Sequence, residues 1–338
     1  MQDEDSFSYR CDCGSVNQTS SSPTPGVLLI GGAEEDKAGE DAATRWFLKR
    51  ADGGDYLVLR SGGLGEQASW ICDHYEGWIS SAAELSIDSR EAANDPQVIQ
   101  YIRQADALFI AGGDQDAYEN YWEGSAVETA INDLIHRKQI PLAGTSAGMA
   151  ILGDYYYAPA HDGILSSEIL NNPFHHNTKD IYRSDFIQVP ILKGVITDTH
   201  LDRVDEDNPE PRYGRIFGLL ARIISDPRNQ PPYYAIGLEE GAFVAIDQHG
   251  IAQVFGNGKA KGQDAYFLQP TGALPEQIQP GLPLNWSHQG KAVKVYHIAG
   301  TPEGSGTFDL NNWSKASGGT WEYWYTTGGK QGFKRQPS

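Results

Sequence analysis

The stretch Pro141-Leu142-Ala143-Gly144-Thr145-Ser146-Ala147-Gly148-Met149-Ala150 decides how the rest of the chain is read. Residues 140–143 form a short apolar run of the kind that makes a buried strand, and the run stops at Gly144. A segment of small residues follows at once and reads as a helix. Between the two sits Gly144-x-Ser146-x-Gly148, the spacing of a nucleophile elbow. A serine on so tight a turn is held in a strained backbone conformation, and the flanking glycines leave room for neighbouring chain. Its hydroxyl then stands at the start of a helix, where free N–H groups favour a developing oxyanion. The same pattern also describes a glycine-rich turn with a capping serine, so the flanking segments must discriminate.

Upstream, apolar runs at 27–30, 56–59, 83–87 and 107–111 read as strands, and several end in glycine pairs such as Gly31-Gly32 and Gly112-Gly113. Segments 41–51, 66–76, 95–105 and 127–136 have helical spacing. Regular alternation of this kind predicts an α/β fold: an open, mostly parallel sheet with helices on both faces. Ligands bind such sheets at the carboxyl ends of the strands, where both glycine pairs and Ser146 fall. Downstream, 154–184 reads as a long excursion, 186–191 and 194–197 as strands, 201–212 as an acidic surface loop and 216–224 as an apolar helix. Short strand-like segments at 234–238, 242–246, 251–255, 265–268 and 293–298 predict an antiparallel, β-rich C-terminal part. The expected organisation is a flexible polar leader (1–25), one α/β domain (26–312) and an aromatic, glycine-rich tail (313–338). The tail reads as a strand packed on the body, the alternative being an exposed binding patch.

A chain of 338 residues with 39% hydrophobic residues has enough for a real core in one large or two unequal domains. Its net charge of −19 argues against nucleic-acid binding, which needs clustered Lys and Arg, and suits a protein that attracts cationic substrates. No apolar run reaches the roughly 18–20 residues of a membrane span. Cys11, Cys13 and Cys72 fit no metal-finger spacing; a Cys11–Cys13 bridge would be a strained small ring, and Cys72 reads as buried. The chain opens on a polar, acidic stretch without an apolar signal segment, which leaves the redox compartment open. The Ser/Pro-rich leader and acidic surface lean toward a secreted or periplasmic protein, with a cytoplasmic one as the alternative.

Several motifs now stand in order: 27–34 (Val-Leu-Leu-Ile-Gly-Gly-Ala-Glu), Ser89-Arg90-Glu91-Ala92-Ala93, Phe109-Ile110-Ala111-Gly112-Gly113-Asp114-Gln115, Gly144-Thr145-Ser146-Ala147-Gly148, Asp198-Thr199-His200 and Arg212-Tyr213-Gly214-Arg215. Together they resemble cyanophycinase and its relatives, a family of serine peptidases, from about Val27 to Leu310. The resemblance implies a sheet related to that of class I glutaminases, of flavodoxin-like type, with Ser in place of their nucleophilic Cys. It implies an exopeptidase that cleaves aspartyl bonds. In cyanophycinase proper the products are β-Asp-Arg dipeptides, released from a poly-aspartate backbone that carries arginine side groups. Carried to this chain, Ser146 is the nucleophile, His200 its general base and Glu240 the acid that orients the histidine, with Glu239 left open as the alternative acid. A serine hydroxyl needs such a base, and the base needs a carboxylate to fix its tautomer. The order Ser, His, acid also differs from the Ser, acid, His order of α/β-hydrolases. The implied oxyanion hole uses the N–H groups of Ala147 and Gly113, and Gln115 and Asp114 fall in the implied substrate loop. No metal or cofactor is called for. The expected partner is a peptide or the cyanophycin polymer, and relatives of this type are commonly homodimers.

One departure bears on substrate. The family places three arginines after its histidine as Arg-x-Arg-x-x-Arg, making a basic pocket. Here the last two fall on Arg212 and Arg215 while the first falls on Glu210, behind an insert at 204–211. Arg203 is the residue that could swing into the vacant place, or the acidic insert could itself engage a guanidinium. The alternatives to cyanophycin hydrolysis are a same-class peptidase acting on other aspartyl or isoaspartyl peptides and a non-catalytic binding relative. His161, His175 and His176 lack matched carboxylate or Cys spacing and read as loop histidines.

Overall fold

Apolar runs too short for helices do form strands in the computed structural model, which describes residues 7–16, 20–32, 37–183, 186–258, 262–272, 274–329 and 333–337. The leader positions 1–6 and 17–19, and Ala33 and Glu34 of the first glycine motif, lie outside the described residues. In chain order the first half comprises β1 (Phe7–Gly14), β2 (Gly26–Ile30), α1 (Lys37–Arg50), β3 (Asp55–Arg60), α2 (Gln67–His74), β4 (Ser81–Ile87), α3 (Pro96–Gln104), β5 (Ala107–Ile110), α4 (Gln115–Trp122), α5 (Ala126–Asp133), β6 (Pro141–Thr145) and α6 (Ala147–Ala150). The second half comprises β7 (Tyr155–Tyr157), α7 (Ser166–Asn171), β8 (Ile181–Arg183), β9 (Val195–Asp198), α8 (Tyr213–Ser225), β10 (Tyr234–Leu238), β11 (Phe243–Asp247), β12 (Ile251–Phe255), β13 (Asp264–Pro270), β14 (Val293–Ala299), β15 (Gly306–Asp309), β16 (Ala316–Ser317), β17 (Thr320–Tyr325) and β18 (Lys334–Pro337).

Two sheets result, of ten strands (β1-β4-β3-β5-β6-β2-β11-β12-β15-β16) and eight (β18-β17-β14-β13-β10-β9-β7-β8). The run β4-β3-β5-β6-β2 is parallel, as the alternating pattern predicts. It is extended by antiparallel strands on both sides, so the sheet is mixed rather than open and mostly parallel. The reason lies in the connections: β11 and β12 form a hairpin of their own and can lie beside β2 without a helical crossover. The second sheet is largely antiparallel, in keeping with the strand-rich C-terminal part.

Side chains alternate across the first sheet and sort the core. Leu28, Ile30, Tyr56 and Val58 meet Phe47 and Leu48 of α1 and Ile71 of α2. Leu29, Leu57, Leu59 and Leu85 face α3, α5 and residues of the second sheet such as Ile236 and Phe267. The far side of the second sheet is covered by α8, whose Ile216, Phe217 and Leu220 pack with Trp286 and Trp324. Helices therefore cover both faces of the first sheet.

Residues 7–14 are not leader but the edge strand β1, antiparallel to β4, with Tyr9 stacked on Tyr101 at 3.8 Å between ring centroids. Cys13 is bridged to Cys72 of α2, and Cys11 is the free, exposed thiol. Residues 186–191 are not a strand: Phe186 is buried, but the chain turns into a single 3₁₀ turn at Pro190–Leu192, where proline supplies no N–H for a ladder. The aromatic tail packs on the body as β17, paired with β14, and fully buries Trp324.

Candidate active site

The elbow is built by close backbone approach. A Cβ on Gly144 would lie 2.5 Å from Gly148 O, and one on Gly148 would lie 2.2 Å from Ile110 O, so neither position accepts a side chain. Between them Ser146 takes φ 50° and ψ −119°, a strained conformation for a residue with a side chain, while its N–H donates to Ile30 O at 3.1 Å. The helix beyond it, α6, is a single turn of four residues, so a macrodipole contributes little and the local N–H groups matter more. Gly112 at the end of β5 also comes close: its Cβ would sit 3.3 Å from Ser146 Cβ. That contact brings Gly113 and the Asp114 cap of α4 to the rim beside the serine.

His200 follows β9 and has φ 54°. Its N–H donates to Gly31 O at 3.1 Å, and a Cβ on Gly32 would lie 2.2 Å from His200 Cε1. The glycine pair after β2 is therefore the shelf on which the imidazole rests. His200 Nε2 is 2.7 Å from Ser146 Oγ, and Nδ1 is 2.6 Å from Glu240 Oε1. Only 9% of His200 remains exposed, and this burial pushes its pKa down; Glu240 pulls it up and Arg212 pushes it down again. The neutral imidazole, the form able to accept a proton, is thereby favoured.

The two adjacent glutamates diverge. Glu240 faces His200, and its N–H is held by Asp202 Oδ1 at 2.9 Å. Glu239 points the other way, accepting from Tyr266 Oη at 2.8 Å, from Asp264 N at 3.1 Å and from Tyr213 Oη. Burial raises the Glu239 pKa, while the two tyrosine hydroxyls oppose the shift. Of the two acids left open by the sequence, Glu240 is the one in contact with the histidine. Asp202 carried no signal in the sequence, because its role depends on two loops meeting in space.

The arginines part company as well. Arg215, expected to bind substrate, is 5% exposed, and its Nε donates to Asp198 Oδ2 at 2.9 Å while Nη2 meets the other carboxylate oxygen. Asp198, two residues before His200, is thus the counter-charge of a buried guanidinium. Arg212 keeps neutral partners: Asn208 Oδ1 at 2.9 Å from Nη2 and Thr199 O at 3.3 Å from Nη1. Burial, with help from Arg215, pushes its pKa down to about 10. Arg203 bonds Asp205 and approaches Glu240 Oε1 at 4.0 Å. The insert is internally organised: Asp205 also caps the N–H groups of Asp207 and Asn208, and Glu210 accepts from Ser167 N at 2.7 Å. Asp114 accepts from Asp116 N at 3.0 Å as the cap of α4, whose first residue is Gln115.

No family profile matches the chain. Among curated proteins it is similar to the cyanophycinase of Geminocystis herdmanii, 23% identical over 250 residues that cover 72% of this chain and 82% of the relative. It is also similar to that of Trichormus variabilis, 24% identical over 72% of this chain and 75% of the relative. Among solved structures, a peptidase from an acI-B1 actinobacterium superposes with a TM-score of 0.50 at 14% identity, over 86% of this chain and 98% of that one, which is a likeness of fold. With its motifs in order, this similarity along most of its length and that shared fold, the chain is cyanophycinase-like.

Proposed function

We propose that the chain is a serine-type exopeptidase that hydrolyses aspartyl peptide bonds through an acyl-enzyme on Ser146. The observation that carries this reading is the unbroken contact chain from Ser146 Oγ through His200 to Glu240. Ser146 Oγ attacks the scissile carbonyl carbon as its proton passes to His200 Nε2, and Glu240 stabilises the imidazolium through Nδ1–H. The N–H groups of Ala147 and Gly113 take the carbonyl oxygen as it becomes an oxyanion. His200 then protonates the leaving amine. Water repeats the sequence on the acyl-enzyme: the imidazole takes its proton, and Ser146 leaves with that proton restored.

The substrate proposed first is cyanophycin, multi-L-arginyl-poly-L-aspartate, released as β-Asp-Arg dipeptides, as the relatives' name suggests. A second reading, other aspartyl or isoaspartyl peptides, is favoured by the engagement of Arg215 with Asp198 and by Glu210 at the remaining arginine position. Arg212 is then the cation best suited to a substrate carboxylate, since its present partners are neutral. Gln115 would contact the peptide from the opposite rim. The Cys13–Cys72 bridge supports an oxidising compartment, hence export. Incubation with purified cyanophycin, then with β-Asp dipeptides, is the test. Dipeptide release from the polymer supports the first substrate, cleavage of isoaspartyl peptides alone supports the second, and no hydrolysis of either rejects the peptidase reading.

A further inference from the structure

A cleft of about 430 Å³ opens between β7–β8 and the C-terminal end of α8, lined by Tyr155, Lys179, Arg183, Arg222, Asp226 and Arg228 among others. It is not the catalytic cleft. Arg215, in the first turn of α8, holds Asp198 beside His200, whereas Arg222 lies two helical turns further on, about 10 Å along the axis.

Its charge is opposite to that of the chain. Four cations line it against one carboxylate, and that carboxylate is occupied: Arg228 bonds both oxygens of Asp226, from Nε at 3.0 Å and 3.2 Å and from Nη2 at 2.6 Å. Lys179, Arg183 and Arg222 form no ion pair with a carboxylate among the described residues. Asp226 also acts through space on Arg222, so Lys179 and Arg183 are the cations that leave the cleft short of negative charge in a chain of net charge −19.

Two features make it a built site rather than a surface cluster. Arg222 is fixed: Nη1 donates to Pro173 O at 2.7 Å and Thr178 Oγ1 at 3.0 Å, and its guanidinium lies 4.0 Å from the Phe174 ring centroid. Tyr155 in the cleft wall is 1% exposed, yet its hydroxyl has no hydrogen-bond partner. A buried hydroxyl normally finds a partner, and this one, covered in the free protein, gains one when an occupant of the cleft moves the side chains over it. Ile181, Tyr182 and Ile223 add apolar wall between the charges, which suits a chain bearing several carboxylates better than a small inorganic anion.

We infer that this cleft is a second binding site, which takes the carboxylates of an acidic peptide while the catalytic residues work at the other end of α8. The identity of the peptide rests on the peptidase reading; the anion site itself does not. The test is equilibrium binding of fluorescent tetra-aspartate to the Ser146→Ala protein, with and without Lys179→Ala/Arg183→Ala. Both added substitutions are at exposed positions away from the catalytic residues. The double substitution should weaken binding at least tenfold, and raising salt from 50 to 300 mM should weaken it too. Tyr155→Phe should weaken it about threefold without disturbing the fold. Arg222→Met would remove the anchor of Pro173 and Thr178, so it is not the deciding variant. Equal affinity of the two proteins for the peptide overturns the inference, and so does inorganic phosphate binding as tightly as the peptide. In the wild-type background Lys179→Ala/Arg183→Ala should leave hydrolysis of a β-Asp dipeptide unchanged, because so short a substrate cannot span both places. A protein that binds tetra-aspartate through these cations but hydrolyses nothing would end the peptidase reading and leave the cleft standing.

Discussion

At the scale of single residues, burial and partner choice separate groups that look alike in the sequence. Ser146→Ala should abolish hydrolysis, by roughly 10⁴-fold or more for a triad nucleophile, with melting temperature unchanged; turnover by the pure variant would remove Ser146 from the mechanism. Glu240→Gln should lower kcat by about 10²–10⁴-fold at little cost in stability. Glu239→Gln should do the reverse. It weakens a hub that joins two tyrosine hydroxyls and the Asp264 N–H, and should destabilise the fold by about 1–3 kcal/mol with a smaller effect on kcat. Thermal melts and kinetics of the two variants, measured side by side, decide the assignment. Acidity gives a further check. The base must be neutral, so kcat/KM falls as pH drops through the His200 pKa, and burial places that limb below the usual histidine value of about 6.5. Glu240 raises this pKa and Arg212 lowers it. The limb should therefore move to lower pH in Glu240→Gln and to higher pH in Arg212→Met, and shifts in the same direction would contradict the electrostatic account.

At the scale of elements, the proposed catalytic groups sit where chain ends are pinned together. The Asp198–Arg215 pair ties the end of β9, which delivers His200, to the first turn of α8. Removing one partner leaves a buried charge uncompensated, so Asp198→Asn should cost about 3–5 kcal/mol of stability. Asp198→Leu/Arg215→Met, which removes both charges, should recover much of that loss in a denaturant titration. If the double variant is as unstable as the single one, the pair does more than neutralise itself. The Gly32 shelf makes a second element-level prediction. With φ 97° and the imidazole within 2.2 Å of a built Cβ, Gly32→Ala should displace His200 and reduce kcat at least a hundredfold. Wild-type rates in that variant would mean that the ring has room to move.

At the scale of the whole molecule, the two sheets share a core and the covalent link is peripheral. The Cys13–Cys72 bridge spans 59 residues and ties the edge strand β1 to α2. By the loop-entropy account a bridge over such a span contributes roughly 4 kcal/mol. Cys13→Ser/Cys72→Ser should lower the melting temperature while leaving kcat near wild type, since Ser146, His200 and Glu240 lie on other elements. Loss of activity in a variant that remains folded would show that β1 supports the site.

The strands β2 to β6 and their parallel pairing were legible in the sequence, because each is an apolar run and helices of the right period separate them, but their order β4-β3-β5-β6-β2 was not. The elbow at Ser146 was legible as the Gly-x-Ser-x-Gly spacing, although only the clash at Gly144 is local: the one at Gly148 comes from Ile110 O on the neighbouring strand β5. The alternation Phe7, Tyr9, Cys11, Cys13 was there to be read as a strand, but its polar partners and the Ser/Pro run behind it resemble a leader. Which glutamate meets His200, whether Asp198 or a substrate takes Arg215, which cysteines pair and how the flanking strands turn the sheet mixed were decided only by tertiary structure. Each depends on groups tens of residues apart arriving at one place. Spacing along a chain encodes periodicity and local sterics; the partner of a buried charge or thiol is set by packing.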